Sequence, residues 1–106
     1  MPGRANWIRG KIFAHRGLHS AGVPENSPAS FEAAMARGFG IECDVQASRD
    51  WQAMVFHDWD LDRLTGKTGQ LIEHTAAELG RVTLAENGET IQTFPQFLQQ
   101  VSGRAA

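Results

Sequence analysis

A single cysteine, Cys43, excludes an internal disulfide, and its place on the apolar side of an alternating stretch marks a small buried thiol rather than a reactive one. Charge of one sign is also lacking. A net charge of -2, with basic residues scattered along the chain, excludes the concentrated basic face of a nucleic-acid binder. No apolar run is long enough to span a membrane. Met1 to Lys11 carries Arg4, Arg9 and Lys11 but no apolar stretch of signal-peptide length. Internal repeats and low-complexity segments are absent. These absences leave a soluble protein in a reducing, cytoplasmic setting, and 106 residues suit one domain with a modest core.

What the chain does have is a pair of acids in an apolar frame, Ile41-Glu42-Cys43-Asp44-Val45. On a β-strand Glu42 and Asp44 project to one side, and Ile41, Cys43 and Val45 to the other. Two carboxylates facing one spot must be solvated, matched by bases or bridged by a cation, and a hard divalent ion prefers oxygen ligands. Taken alone, the pattern is read first as a half-exposed edge strand with its acids in water.

The order of elements adds a frame. Lys11 to Ala14 reads as a strand ending at His15-Arg16-Gly17, where Gly17 permits a sharp turn. The loop Ala21 to Asn26 leads to Ser27 as helix cap and Pro28 at the first helical position. Phe31, Ala34 and Met35 mark the buried face of that helix, and Gly38 ends it. Strand, helix, strand implies parallel strands and an α/β arrangement. Ala53 to Phe56 reads as another strand, and a hairpin centred on Asp50-Trp51 would set Asp44 opposite His57. Residues 59–90 read as an elaborated loop over the strand ends, with a short helix at Thr75 to Leu79 and a turn at Asn87-Gly88. Thr93 caps a last helix with Phe94, Phe97, Leu98 and Val101 as its apolar stripe, and Ser102-Gly103-Arg104 closes it.

His15, Arg16, Glu42, Asp44 and His57 thus fall at or near strand ends, which form the ligand-binding mouth of parallel α/β folds. Two histidines can exchange protons near neutral pH, an arginine can grip a phosphate, and a carboxylate-bound cation can neutralise phosphoryl oxygens. Singly, each has a plainer account as a surface charge or a satisfied core histidine.

Their succession resembles a known family. Ala14-His15-Arg16-Gly17, then Pro24-Glu25-Asn26-Ser27, Phe31 with Ala34 and Gly38, Glu42-Cys43-Asp44-Val45, and Val55-Phe56-His57-Asp58 with Leu61, Arg63 and Thr65 is similar to the N-terminal part of the glycerophosphodiester phosphodiesterase family, from about Phe13 through Phe97. The resemblance implies a partial TIM (β/α)8 barrel of the phosphatidylinositol phospholipase C-like phosphodiesterase type, truncated after its early strands. It implies hydrolysis of a small-molecule glycerophosphodiester to sn-glycerol 3-phosphate and an alcohol, by direct attack of water or through a cyclic phosphate. His15 and His57 would be the acid and base, Arg16 would bind the phosphate, Glu42 and Asp44 would hold Mg²⁺ or Ca²⁺, and Glu25 and Asn26 would support the adjacent loop.

Three departures from the family pattern stand out: Trp51 where Gly is common, Gln92 for Pro, and Ser27 for Thr. A barrel of this type takes about 250 residues. The later strand that the resemblance implies, with a third carboxylate ligand and a lysine, has no counterpart here. A cation on two carboxylates alone is expected to bind weakly, and the isolated chain to have little activity and open barrel edges through which copies self-associate. The rival reading is a non-catalytic fragment or phosphate-binding module. A phospholipase D-like toxin relative fits less well because of the Pro24-Glu25-Asn26-Ser27 loop. His19 and His74 match no motif and are expected in exposed loops. Asp58 is expected to orient His57 or cap the next turn, and Trp7, Trp59 and the phenylalanines to pack in the core.

Overall fold

The computed structural model describes residues 10–106. The readings of Trp7, Arg4 and Arg9 lie outside them. Strand β1 (Phe13–His15) runs parallel to β2 (Gly40–Glu42), with Phe13 beside Gly40, Ala14 beside Ile41 and His15 beside Glu42. Helix α1 (Pro28–Ala36) makes the crossover. Its start follows from local chemistry: Ser27 Oγ accepts from the Ser30 amide at 3.1 Å, and Ser30 Oγ accepts from the Ser27 amide at 3.2 Å. Pro28 costs nothing at a position whose N–H has no helical partner. At the other end Gly38, at φ 70°, takes the left-handed turn that releases the chain toward β2.

The stretch Ile41 to Val45 is not one strand. Pairing to β1 ends at Glu42, and a second two-stranded sheet begins with β3 (Val45–Ala47) antiparallel to β4 (Ala53–Val55). Asp44 sits in the link, its amide donating to Asn26 Oδ1 at 3.2 Å and its carbonyl accepting from Phe56 N at 3.0 Å. The hairpin register also departs from expectation. Val45 faces Val55, Gln46 faces Met54 and Ala47 faces Ala53, so Asp44 lies opposite Phe56 and not His57. The cause is the turn: Arg49, Asp50 and Trp51 form a three-residue loop closed by the Ser48 amide on the Gln52 carbonyl at 2.9 Å. Trp51 supplies the left-handed residue such a loop needs, at φ 61°, without being glycine. Ile41 and Cys43 pack against buried apolar residues as expected, whereas Val45 is exposed.

Side chains alternate along β4, and each face has its own core. On one face Val55 meets Phe31 of α1 and Phe97 of α3 (Phe94–Val101), the two rings edge to face at 4.6 Å. Thr93 caps α3 through the Gln96 amide, Pro95 fits its first turn, and left-handed Ser102 ends it. Leu98 departs from the expected stripe and is exposed; Phe94, Phe97 and Val101 alone make the contact. On the other face Met54 and Phe56 join Leu61, Leu64, Leu71, Leu79, Val82, Leu84 and Ile91. Residues 59–90 therefore carry their own apolar centre, with a 3-10 turn at Leu71–Glu73 and α2 (Ala76–Leu79) capped by Thr75. Trp59 is exposed, which corrects its assignment to the core, and Phe13 is likewise exposed. His19 is exposed as expected, while His74 is half-buried. No helix among the described residues is long and apolar enough to cross a membrane.

Trp51 is 79% exposed, so its side chain contributes little packing while its backbone bears left-handed strain. Trp51→Gly is expected to raise stability by about 0.5 kcal/mol, strain relief exceeding the added chain entropy. Urea unfolding measures this; a loss of about 1 kcal/mol or more would contradict it.

Candidate active site

The parallel register of β1 and β2 puts His15 and Glu42 side by side at the strand ends, with His15 Nε2 and Glu42 Oε2 3.8 Å apart. Glu42 Oε1 is buried and has no hydrogen-bond partner. An orphaned carboxylate oxygen costs free energy unless something meets it.

Beyond His15 the chain turns through Arg16 at φ 59° and Gly17 at φ 76°. The turn is forced close to α1: a Cβ on Gly17 would lie 2.2 Å from Ser30 Oγ. Asn26, also left-handed at φ 55°, donates its amide to the Arg16 carbonyl at 2.8 Å. Its side chain holds Asp44 twice, at the backbone and through Nδ2 on Oδ2 at 3.0 Å. Non-glycine residues with positive φ persist only where surrounding contacts impose them, and here two adjoin in space.

Arg16 joins the groups. Its Nη1 donates to Glu25 Oε2 at 3.1 Å, its Nη2 to His57 Nε2 at 2.9 Å, and its Nε lies 3.6 Å from Asp44 Oδ2. Arginine can only donate, so His57 Nε2 must be the acceptor and its proton sits on Nδ1, 2.8 Å from Asp58 Oδ1. His57 therefore reaches the acids through Arg16 and not by facing Asp44 across a hairpin. Arg63 completes the cluster, donating from Nε to Asp58 Oδ2 at 2.7 Å and from Nη1 and Nη2 to Glu25 at 2.9 and 2.8 Å. Gln46 Nε2 lies 3.0 Å from the carbonyls of Phe56 and His57 and 2.5 Å from that of Asp58, tying down the backbone that carries His57.

Burial pushes the Glu25 carboxyl up, but hydrogen bonds and charge from Arg63, and then Arg16, outweigh it and hold it below the usual glutamate value. Hydrogen bonding from Arg63 is the largest influence on Asp58, helped by His57, and brings its pKa down to about 2. Burial, with Glu42 and Asp44 on either side, pushes the Cys43 thiol up to about 11, so it stays protonated. Glu25, His57 and Asp58 offer ligand atoms within 4.8 Å of one another. Their hydrogen bonds to Arg16 and Arg63 already place positive charge there, which disfavours a further cation. A pocket of about 220 Å³ is lined by Gln46, Ala47, Trp59, Gln70 and Ile72, and not by His15, Arg16, Glu42, Asp44 or His57.

The structure thus brings His15 to Glu42, and Arg16 to Glu25, His57 and Asp44, with Asn26 holding Asp44. Asp58 does orient His57. Two contributors escape a reading of the residues one by one. Arg63 is visible only as a motif position, and Gln46 falls in a polar run with no spacing signal.

The model of the Glycerophosphoryl diester phosphodiesterase family matches residues 15–104. A glycerophosphodiester phosphodiesterase of Bacillus altitudinis is 44% identical over 72 residues, 67% of this chain and 29% of that protein. One from Caldanaerobacter subterraneus is 42% identical over 72 residues, with the same coverage. Among solved structures, a glycerophosphodiester phosphodiesterase from Agrobacterium tumefaciens superposes with a TM-score of 0.82 at 32% identity, over 91% of this chain and 44% of that one. A phosphodiesterase from Oleispira antarctica, in complex with the product sn-glycerol-3-phosphate, gives 0.79 at 32% identity, over 89% of this chain and 40% of that one. The chain spans 29% of the length of these curated relatives. Its fold is the α/β fold of these TIM-barrel neighbours in part, with no closed barrel among the described residues.

Asp58 ionises at about 2 in the folded chain against an ordinary 3.8. As pH falls, the unfolded chain takes up this proton first, so the stabilisation is whole above about pH 5 and is lost through 3.8 toward 2. Asp58→Asn is expected to show a shallower fall in urea midpoint over that window than the wild type. Equal slopes would contradict the Asp58 contacts.

Proposed function

From the premise that this chain belongs to the glycerophosphoryl diester phosphodiesterase family, we propose that its site serves the metal-dependent hydrolysis of glycerophosphodiesters to sn-glycerol 3-phosphate and an alcohol. The observation that carries the reading is the Arg16 guanidinium, set between a histidine, Glu25 and Asp44 at the strand ends. A phosphate entering there meets a planar cation suited to its oxygens. The partner is a small molecule; nothing in the charge pattern calls for nucleic acid.

His57, neutral with Nδ1–H on Asp58, presents Nε2 as a proton acceptor once Arg16 turns to phosphate. His15, exposed beside Glu42, is the opposite partner and donates to the leaving oxygen. Glu42 and Asp44 would hold the divalent cation, Mg²⁺ or Ca²⁺, and the orphaned Glu42 Oε1 fits that role. When bound, the ion neutralises charge on the phosphoryl oxygens. Glu25 and Asn26 act as loop support, the first on Arg16 and the second on Asp44. A chain with one cysteine and no internal disulfide is placed in a reducing, cytoplasmic setting. Exposed Ile12 and Phe13 at β1, and Val45 on β3, favour self-association at the open edges of the two sheets.

A second reading, a phosphate-binding module without catalysis, is favoured by one observation: among the described residues no third carboxylate or histidine forms a ligand group with Glu42 and Asp44. The test is a coupled assay of sn-glycerol 3-phosphate release from glycerophosphocholine with Mg²⁺ or Ca²⁺. The expected result is slow release, lowered about 100-fold or to background by His57→Ala or His15→Ala. Release unaffected by either variant contradicts the assignment. No release, with phosphate binding that Arg16→Ala abolishes, identifies the second reading. In calorimetry the cation should bind weakly and lose affinity in Glu42→Gln; tight binding that survives the change removes Glu42 as a ligand.

A further inference from the structure

We propose that Arg63 is a positioning residue for His57, acting through Asp58 and anchored on buried Glu25; the assignment rests on the placement of His57 in the proposed site. Arg63 belongs to the segment with its own apolar core, where buried Leu61 and Leu64 on either side fix its backbone. From there its guanidinium reaches two other parts of the chain. Nε and Nη2 meet both oxygens of Asp58 at 2.7 and 3.0 Å, and Nη1 and Nη2 meet both oxygens of Glu25 at 2.9 and 2.8 Å.

A carboxylate held at both oxygens has no freedom to rotate. Asp58 alone, half-buried in the irregular segment after β4, could swing its carboxylate away from the adjacent imidazole. With Arg63 in place, Oδ1 stays aimed at His57 Nδ1, 2.8 Å away. The other end of the bridge is equally fixed, because Glu25 is only 7% exposed and also carries Arg16. Side-chain contacts therefore form a closed ring: Arg16, Glu25, Arg63, Asp58, His57 and back to Arg16. Lysine could neutralise both acids but could not hold either at two points.

The measurement is solvent exchange of the His57 Nδ1 proton by NMR, on the 106-residue chain without substrate or added cation, assigned by its loss in His57→Gln. It is independent of whether the chain hydrolyses anything. The wild type is expected to show a protected proton, Arg63→Gln to exchange about tenfold faster or more, and Arg63→Lys to fall between them. A role confined to neutralising Glu25 would leave exchange unchanged. Circular dichroism confirms folding; if Arg63→Gln does not fold, Arg63→Lys decides. A wild-type rate in either folded variant, or no protected proton in the wild type, overturns the proposal.

Discussion

The buried carboxylate of Glu25 is the constraint on which the site depends. Removing the partner of a buried charge costs about 3–5 kcal/mol, far more than any surface ion pair contributes. Glu25 is met by two arginines, Arg16 from the turn after β1 and Arg63 from the segment beyond β4. Because the loss of either weakens the pairing of a buried acid, three separate stretches of chain are held in one arrangement. His57 is positioned by both arginines, directly by Arg16 and through Asp58 by Arg63.

The same arrangement explains where backbone strain is tolerated. Arg16 and Asn26 both lie in the left-handed region, and each is held by contacts that a relaxed conformation would break. The Asn26 amide on the Arg16 carbonyl links the two turns, and the Asn26 side chain carries the constraint on to Asp44. Gly17 lets this turn press against Ser30, the residue that also completes the cap of α1. Helix start, strained turn and the Asp44 carboxylate are thus parts of one packing problem.

Local chemistry made much of the fold legible in advance. Ser27 and Thr93 announce helix starts because a hydroxyl at that position can meet an otherwise unpaired amide, and both do so. The strand–helix–strand order and its parallel pairing followed from those caps and from apolar runs of strand length. Nonlocal geometry was not legible. The hairpin register hung on whether Asp50-Trp51 made a two- or a three-residue turn, and that one-residue difference moved His57 away from Asp44. Strand alternation turns Val45 inward, helical spacing does the same for Leu98 and aromatic character for Trp59, but none of these says whether a neighbour exists to cover the side chain. The chemistry of Arg63 and Gln46 lies in long-range contacts that no local pattern encodes.

If paired arginines hold Glu25 as described, its ionisation reports the integrity of the whole cluster. Burial alone would raise its pKa; the arginines must more than reverse that. The direct measurement is a carboxyl-carbon NMR titration of Glu25 in the folded chain. The expected result is a midpoint below the ordinary glutamate value of about 4.3. A midpoint at or above that value would show that the carboxylate is not held between Arg16 and Arg63, and the account of the site would fail with it.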